Sequence, residues 1–160
     1  MKVIYAGSFD PVTYGHMDII YRSRDIFGEV VVAVLENKSK KSLFSLEERM
    51  QLLEKTFEND KNIEIDSFQG LLIDYAKSKG SKVIVRGLRS ATDYEAEWVL
   101  AMANRSAENY VETLFIPSSH HLVYVSSSLA KEIAAFGGDV SDYVPPIVQE
   151  ALINKMRKEH

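Results

Sequence analysis

Short apolar runs alternate along this chain with longer stretches in which apolar residues recur at helical spacing. The short runs are rich in β-branched and aromatic residues and are bounded by turn-forming residues, a pattern typical of strands buried in a sheet. We predict five strands, at Val3 to Tyr5, Val30 to Leu35, Ile63 to Phe68, Val83 to Val85 and Leu114 to Ile116.

The stretches between these strands predict helices, of which one is especially clear. It follows Ser45, which together with Glu48 has the spacing of a capping box, and it places Leu46, Leu53 and Phe57 on one face. The other predicted helices run from Met17 to Phe27, from Leu71 to Lys79, from Tyr94 to Asn104 and from Leu129 to Phe136, and a last one opens at Pro145 and Pro146.

The alternation of strands with helices of this length predicts βαβ crossovers. Their fixed handedness places helices on both faces of a parallel sheet, so the predicted fold class is α/β, a doubly wound five-stranded parallel sheet. No internal repeat, low-complexity tract or Pro/Gly/Ser-rich linker divides the sequence. Residues 1–160 are therefore expected to form a single domain.

One predicted helix carries an apolar face that fits two different roles. Trp98, Ala101 and Met102 share this face of the helix from Tyr94 to Asn104. Such a face is consistent with packing in the core of a monomer and equally with a contact between subunits.

Composition excludes several classes of protein. Hydrophobic residues make up 46% and charged residues 26% of the chain, which is typical of a globular domain and not of a disordered one. The net charge of -4 argues against nucleic acid as a partner, and the absence of cysteine excludes disulfides and thiolate metal sites. We find no signal peptide and no apolar run long enough for a membrane span, so we expect a cytoplasmic protein.

The loop after the first strand has features of a phosphate site. It reads GSFDPVTYGH, from Gly7 to His16, and runs directly into a helix, but neither GxGxxG nor GxxxxGK[ST] occurs in the chain. A helix N-terminus attracts phosphate, and His16 and the Ser8 hydroxyl can add donors there. The alternative is that Ser8, Asp10 and Thr13 only cap a turn and that His16 is an ordinary helix-start residue.

A lysine-rich loop follows the second strand. Lys38, Lys40 and Lys41 lie within a few residues of one another, and their ammonium groups can anchor an anionic substrate. The alternative is a loop whose lysines are only solvated.

Two arginines follow the fourth strand. The guanidinium groups of Arg86 and Arg89 can each hold a phosphate group through two hydrogen bonds. Alternatively they form ion pairs with Asp93, Glu95 or Glu97 shortly afterwards, and both interpretations can hold together.

Three serines open the helix after the fifth strand. Capping accounts for one of Ser126, Ser127 and Ser128, but not for all three. Phosphate-type ligands thus follow four strands, and in parallel sheets the carboxyl ends of the strands share the edge at which ligands bind. The sequence therefore predicts a phosphate-binding site at that edge.

Several segments resemble those of a known family. GSFDPVTYGH resembles the TxGH form of the HxGH signature of the nucleotidylyltransferase superfamily, and VSSS resembles its serine-rich second signature. Together with SKKSLFSLEER and VIVRGLRSATDYEAE, these segments resemble the bacterial phosphopantetheine adenylyltransferases over nearly the whole chain. The resemblance implies a Rossmann-like nucleotidylyltransferase fold. It also implies the transfer of AMP from ATP to 4′-phosphopantetheine, which yields dephospho-coenzyme A and pyrophosphate.

The same resemblance implies roles for individual residues. It makes Ser8, His16 and Lys40 catalytic, and places Ser8, Lys40, Leu72 and Arg86 against phosphopantetheine. The implied ATP-binding residues are Ser8, Phe9, His16, Gly87, Leu88, Arg89, Glu97, Leu122, Val123, Tyr124, Val125, Ser126, Ser127 and Ser128. Mg²⁺ would bind through the ATP phosphates, and the chain would form a homohexamer.

Two segments depart from the family's pattern. Ala6 and Ser8 stand where the family often has Pro and Thr, a change that keeps a hydroxyl group at the second position. The segment from His120 to Tyr124 reads HHLVY where relatives tend to carry an acidic residue and an aromatic one, which weakens the transfer of Leu122.

The implied chemistry needs no general base. A phosphate monoester has a second pKa of about 6, so an ionised acceptor can attack the α-phosphorus of ATP in line. Two rival functions are a related transferase acting on nicotinamide mononucleotide or a polyol phosphate, and a regulatory nucleotide-binding module without catalysis. The set of Lys40, Leu72 and Arg86 favours phosphopantetheine, and the intact Ser8 and His16 favour catalysis.

Overall fold

The computed structural model describes residues 1–107 and 110–159. Its strands are β1 (Lys2–Gly7), β2 (Glu29–Leu35), β3 (Ile63–Phe68), β4 (Val83–Leu88) and β5 (Glu112–Pro117). Its α-helices are α1 (Tyr14–Phe27), α2 (Leu46–Thr56), α3 (Leu72–Ser78), α4 (Ala91–Ala107), α5 (Ser127–Ala135) and α6 (Pro146–Glu159), and a short 3₁₀ helix spans His120–Leu122.

The five strands form one sheet in the order β3-β2-β1-β4-β5, and every neighbouring pair is parallel. The chain builds outward from β1 to β3, then returns across the sheet to place β4 on the other side of β1. The strand order therefore reverses between β1 and β4, which is where ligands bind in doubly wound sheets. The predicted α/β fold class and the count of five strands are confirmed.

Helices cover both faces of the sheet. Apolar side chains of α1, α2, α5 and α6 join those of the strands in one core, which includes Ile19, Leu53 and Leu152. A second core lies on the opposite face, where α3 contributes Ile73 and Ala76. With both faces covered, β2 is apolar at every position from 30 to 34, and all five residues are buried.

Capping boxes fix the starts of two helices. Ser45 and Glu48 exchange hydrogen bonds at the start of α2, as the sequence predicts. Thr13 and His16 do the same at the start of α1, with histidine in the place of the usual glutamate. The helix therefore begins at Tyr14 rather than Met17, so His16 lies within its first turn.

Strand β4 is longer than the sequence predicts. It pairs with β5 as far as Leu88, opposite Pro117, so Arg86, Gly87 and Leu88 lie within the strand and not after it. A prediction based on apolar runs ends the strand at Val85, because Arg86 is polar and Gly87 is small.

Helix α4 turns most of its apolar side chains outward. Of the predicted face, Ala101 is buried, whereas Trp98 and Met102 are exposed by 48% and 38%. Within the described single chain, these two side chains are therefore not part of the monomer core. None of the helices in residues 1–107 and 110–159 is both long and apolar enough to cross a membrane.

Candidate active site

A cavity of about 310 Å³ opens at the carboxyl edge of the sheet, between the ends of β1 and β4. Its walls come from these strands, from the first turns of α1 and α5, and from α4. Ligand sites of doubly wound sheets lie at this position. The cavity brings together nine residues predicted from the sequence: His16, Arg86, Gly87, Arg89, Glu97, Val125, Ser126, Ser127 and Ser128.

The capping box of α1 sets the tautomer of His16. The backbone N–H of Thr13 donates to His16 Nδ1 at 3.0 Å, so the neutral ring carries its proton on Nε2. Burial, followed by the nearby charges of Arg89 and Arg86, lowers the pKa of His16 from 6.5 to about 4. At neutral pH, His16 is therefore an uncharged N–H donor at the wall of the cavity.

Arg86 is held from two sides. Its Nε and Nη2 atoms each donate to the Glu97 carboxylate at 2.7 Å, and its Nη1 atom donates to the Ala6 carbonyl at 2.8 Å. The ion-pairing interpretation is therefore correct for Arg86, with Glu97 as the partner. Since both side chains also line the cavity, pairing and substrate contact do not exclude each other.

Arg89 is held more loosely. Its Nε atom lies 3.7 Å from the Asp93 carboxylate, and its Nη1 atom lies 3.5 Å from the Val125 carbonyl. These are long contacts for charged groups, and the Arg89 side chain is 41% exposed. Its guanidinium group is therefore available to a phosphate in the cavity.

The three serines have three different roles. Ser126 caps α5 by accepting from the N–H of Leu129, and Ser127 donates to the Pro11 carbonyl at 2.7 Å, which joins α5 to the first loop. The Ser128 hydroxyl makes no hydrogen bond with any residue that the structure describes. The first turns of α1 and α5 both line the cavity, and N-terminal helix turns favour anions.

A buried carboxylate joins the first loop to the lysine-rich loop. Asp10 is 6% exposed and accepts from the N–H groups of Leu43 and Phe44, both at 2.9 Å, and from Lys131 Nζ at 3.0 Å. Burial alone would raise the pKa of Asp10, but these hydrogen bonds and the lysine charge outweigh it and lower the pKa. The turn-capping interpretation of Asp10 therefore missed a contact between distant loops.

Arg49 of α2 connects the first loop to the end of β2. This side chain is 5% exposed, and its Nη1 atom donates to the Ser8 carbonyl at 2.8 Å and to the Leu35 carbonyl at 3.4 Å. Sequence analysis did not single out Arg49. The available signal was its place in an otherwise apolar face of α2, between Leu46 and Leu53.

Several predicted site residues lie outside the lining of the cavity. Phe9 is 2% exposed and packs edge-on against Tyr5 and His16, so its ring belongs to the core. Lys40 is exposed in the loop after β2 and lines a separate depression with Arg49. Leu72 begins α3 and packs against the second core. Ser8 lies in the first loop, and Leu88 is partly buried at the end of β4.

The predicted ATP-binding residues just before α5 differ in whether they line the cavity. Val125 is buried and lines the cavity, whereas Val123 and Tyr124 are exposed by 40% and 51%. Leu122 ends the short 3₁₀ helix and faces a different depression, which it shares with Tyr14 and other residues. In the single chain, these three residues are not in the lining of the cavity.

The chain is similar to several known proteins over most of its length. Residues 4–133 match the model of the cytidylyltransferase-like family. A phosphopantetheine adenylyltransferase from Thermotoga neapolitana is 49% identical over 158 residues, which cover 99% of this chain and 98% of that protein. Another from Alkaliphilus metalliredigens is 50% identical over 156 residues, covering 97% and 99%.

A solved structure supports the fold alone. The nicotinic acid mononucleotide adenylyltransferase of Plasmodium falciparum matches with a TM-score of 0.65 at 18% identity, over 99% of this chain and 95% of that one. The Rossmann-like fold expected from the sequence is therefore confirmed.

Proposed function

This chain belongs to the phosphopantetheine adenylyltransferase family among the cytidylyltransferase-like proteins, and from this premise we propose how its cavity works. The proposed reaction transfers AMP from ATP to 4′-phosphopantetheine and releases pyrophosphate and dephospho-coenzyme A. The observation that supports it best is the set of donors in one cavity at the strand reversal: His16, Arg86, Arg89 and two helix N-termini. Such a set suits two phosphate-bearing substrates.

We place the ATP phosphates between the first turns of α1 and α5. There the His16 Nε2–H, the guanidinium group of Arg89 and the Ser128 hydroxyl can each donate to phosphate oxygens. Gly87 lies in the cavity wall beside the proposed nucleotide, and its lack of a side chain makes room for Ile19 of α1, since a Cβ atom there would lie 3.1 Å from Ile19 Cγ1. Phe9 would contact ATP through its backbone, since its ring is buried. Leu88, Glu97 and residues 122–125 complete the proposed ATP side.

We place the acceptor phosphate between Ser8, Lys40 and Arg86. The Ser8 hydroxyl makes no hydrogen bond within residues 1–107 and 110–159, and Lys40 lies on an exposed loop, so both groups are available to a ligand. Arg86 lines the cavity from strand β4. Leu72 begins the helix that follows β3 at the same sheet edge, where it would meet the pantetheine arm.

The reaction then needs positioning and charge rather than a proton acceptor. The phosphate monoester of the acceptor has a second pKa of about 6, so an anionic oxygen is present at neutral pH. This oxygen attacks the α-phosphorus of ATP, a new P–O bond forms, and the bond to pyrophosphate breaks with its electron pair leaving on pyrophosphate. His16, Lys40 and Ser8 would stabilise the charge that develops around the phosphorus.

We propose that Mg²⁺ enters with the nucleotide. Among the described residues, no group of three or more His, Cys, Asp or Glu side chains could hold a metal ion. The cation would therefore bind to the ATP phosphates, where it neutralises part of their charge.

We also propose that the whole chain acts as one domain and assembles into a homohexamer in the cytoplasm, where ATP is available. Support for assembly comes from α4, whose Trp98, Val99 and Leu100 are 48%, 61% and 56% exposed. An apolar surface of this kind is typical of a subunit contact.

The step of direct attack is tested by isotope exchange. With ATP, Mg²⁺ and labelled pyrophosphate but no acceptor, we expect no label in ATP, because no AMP–enzyme intermediate forms. Adding phosphopantetheine should start the exchange. Exchange in the absence of any acceptor would contradict direct attack.

A further inference from the structure

Tyr5 is a buried phenol that reaches the cavity without having been assigned a role. It lies on β1, is 7% exposed, and forms part of the cavity wall together with Gly87 and Arg86. Its hydroxyl is next to the backbone of Gly87, because a Cβ atom built on Gly87 would lie 3.8 Å from Tyr5 Oη. The ring is fixed by edge-on packing against Phe9, with centroids 5.7 Å apart.

The hydroxyl of Tyr5 has no hydrogen-bond partner among residues 1–107 and 110–159. A second partly buried phenol, Tyr75, shows the ordinary arrangement, since its hydroxyl donates to Asp66 at 2.8 Å. The only side-chain polar atom among the described residues that is fully buried without a partner is Ser23 Oγ, so the Tyr5 hydroxyl oxygen is open to the cavity that Tyr5 lines. The position of Tyr5 at the cavity wall indicates that its partner is a ligand.

The charge state of Tyr5 defines what that partner must offer. Burial raises the pKa of Tyr5 from 10.0 to about 12, against the opposing charges of Arg86 and Arg89. At neutral pH, the phenol is therefore a neutral O–H donor, and its best partner is an oxygen that accepts a hydrogen bond. In this cavity the nucleotide supplies such oxygens.

We propose that the Tyr5 hydroxyl donates a hydrogen bond to an oxygen of the nucleotide bound in the cavity, as a further nucleotide-binding residue. This inference rests on the proposed function, which places ATP there. It implies that the hydroxyl strengthens nucleotide binding and contributes little to the stability of the free protein, because it is open to the cavity and bonds to no described residue.

The test compares two Tyr→Phe variants, each of which removes one hydroxyl and little else. For Tyr5→Phe we expect ATP to bind about tenfold more weakly by calorimetry, since a hydrogen bond to a charged or polar oxygen is lost. The urea midpoint of the free protein should stay about the same, because the lost hydroxyl bonds to no described residue and is open to the cavity. For Tyr75→Phe we expect the reverse, with a lower urea midpoint and unchanged ATP affinity, because that hydroxyl bonds to Asp66.

The outcomes separate this inference from the proposed function. Wild-type affinity for ATP in Tyr5→Phe would overturn the inference and leave the proposed function intact. A lowered urea midpoint together with unchanged ATP affinity would show that the Tyr5 hydroxyl has a structural partner instead. Failure of the wild-type protein to bind ATP would contradict the proposed function, and this inference with it.

Discussion

His16 serves the fold and the proposed chemistry through different atoms of one ring. Nδ1 accepts from Thr13 at the start of α1, which leaves Nε2–H for the cavity. A glutamate or glutamine usually occupies this capping position, and either could cap the helix equally well. Histidine adds a neutral donor there, which a glutamate cannot provide.

The low pKa of His16 predicts how stability depends on pH. The pKa falls from 6.5 to about 4 on folding, so between these values the unfolded chain binds a proton that the folded chain does not. The free energy of unfolding should therefore decrease by about 2 kcal/mol between pH 7 and pH 5 because of His16.

Two measurements check this prediction. The ring C–H signals of His16 should titrate in NMR spectra with a midpoint of about 4. Urea unfolding of His16→Gln should show a smaller loss between pH 7 and pH 5 than the wild-type protein. A His16 midpoint near 6.5 would contradict the burial and tautomer described for it.

Substitutions at His16 separate its two roles. Both His16→Gln and His16→Glu preserve a capping side chain, so both variants should fold with near wild-type stability at pH 7. The glutamine keeps an N–H donor and should retain part of the activity, whereas the glutamate adds a negative charge facing phosphate. For His16→Glu we expect kcat to fall by at least about a hundredfold to a thousandfold.

Steady-state kinetics of the two folded variants tests this account. Equal activity of His16→Gln and His16→Glu would show that Nε2–H is not used. His16→Ala is less informative, since it removes the cap and the donor together.

The site residues differ in how far the sequence could predict them. His16, Arg86, Arg89 and the serines follow strand ends or open helices, so local pattern and the resemblance locate them. Asp10, Arg49 and Tyr5 have roles that depend on neighbours far away in the chain. The hydrogen-bond partners of Asp10 lie 33, 34 and 121 positions further along the chain, so no local sequence pattern could identify them.

Among the elements, β4 and α4 are joined by the pair of Arg86 and Glu97. Both side chains line the cavity, so removal of Arg86 also leaves the Glu97 carboxylate unpaired beside anionic substrates. We therefore expect Arg86→Ala to raise KM for the acceptor by about tenfold to a hundredfold. Adding Glu97→Gln should recover part of this loss, because it removes the repelling charge.

Arg105 and Glu112 provide a matched control pair. They form an exposed ion pair at 3.0 Å between α4 and the first residue of β5, and neither side chain lines the cavity. Arg105→Ala should leave KM for both substrates unchanged. If the double variant Arg86→Ala/Glu97→Gln is no better than Arg86→Ala, then repulsion by Glu97 is not the cause of the loss.

The elements themselves were largely predictable, and the misses have physical reasons. Apolar runs and caps locate the strands and α2, because burial and capping act locally. The extension of β4 through Arg86 and Gly87 depends on pairing with β5, which local pattern does not report. The contacts of Asp10 with Leu43 and of Arg49 with Ser8 likewise join residues that are far apart in the chain, so local pattern does not predict them.

At the scale of the whole molecule, the exposed apolar side chains of α4 lead to a prediction about how subunits assemble. Trp98 is the single tryptophan of the chain and is 48% exposed in one subunit. If α4 forms a subunit contact, sedimentation equilibrium should give about six times the 18.1 kDa mass of the chain. Tryptophan fluorescence should shift to the red when the assembly dissociates.

A pair of variants makes this prediction specific. Val99→Glu places a charge on the exposed face of α4 and should yield smaller species. Ile26 of α1 is 64% exposed and Val99 is 61% exposed, so Ile26→Glu is a matched control. This variant should leave the mass unchanged. A monomeric wild-type protein at micromolar concentration would contradict the assembly.

We propose above that this protein transfers AMP from ATP to phosphopantetheine in the cavity at the carboxyl edge of its sheet. The most direct test is pyrophosphate release from the purified protein with ATP and Mg²⁺, comparing 4′-phosphopantetheine, nicotinamide mononucleotide and no acceptor. We expect release that depends on phosphopantetheine and is absent with the other two. Release with nicotinamide mononucleotide alone, or none with any acceptor from protein that still binds ATP, would contradict the account.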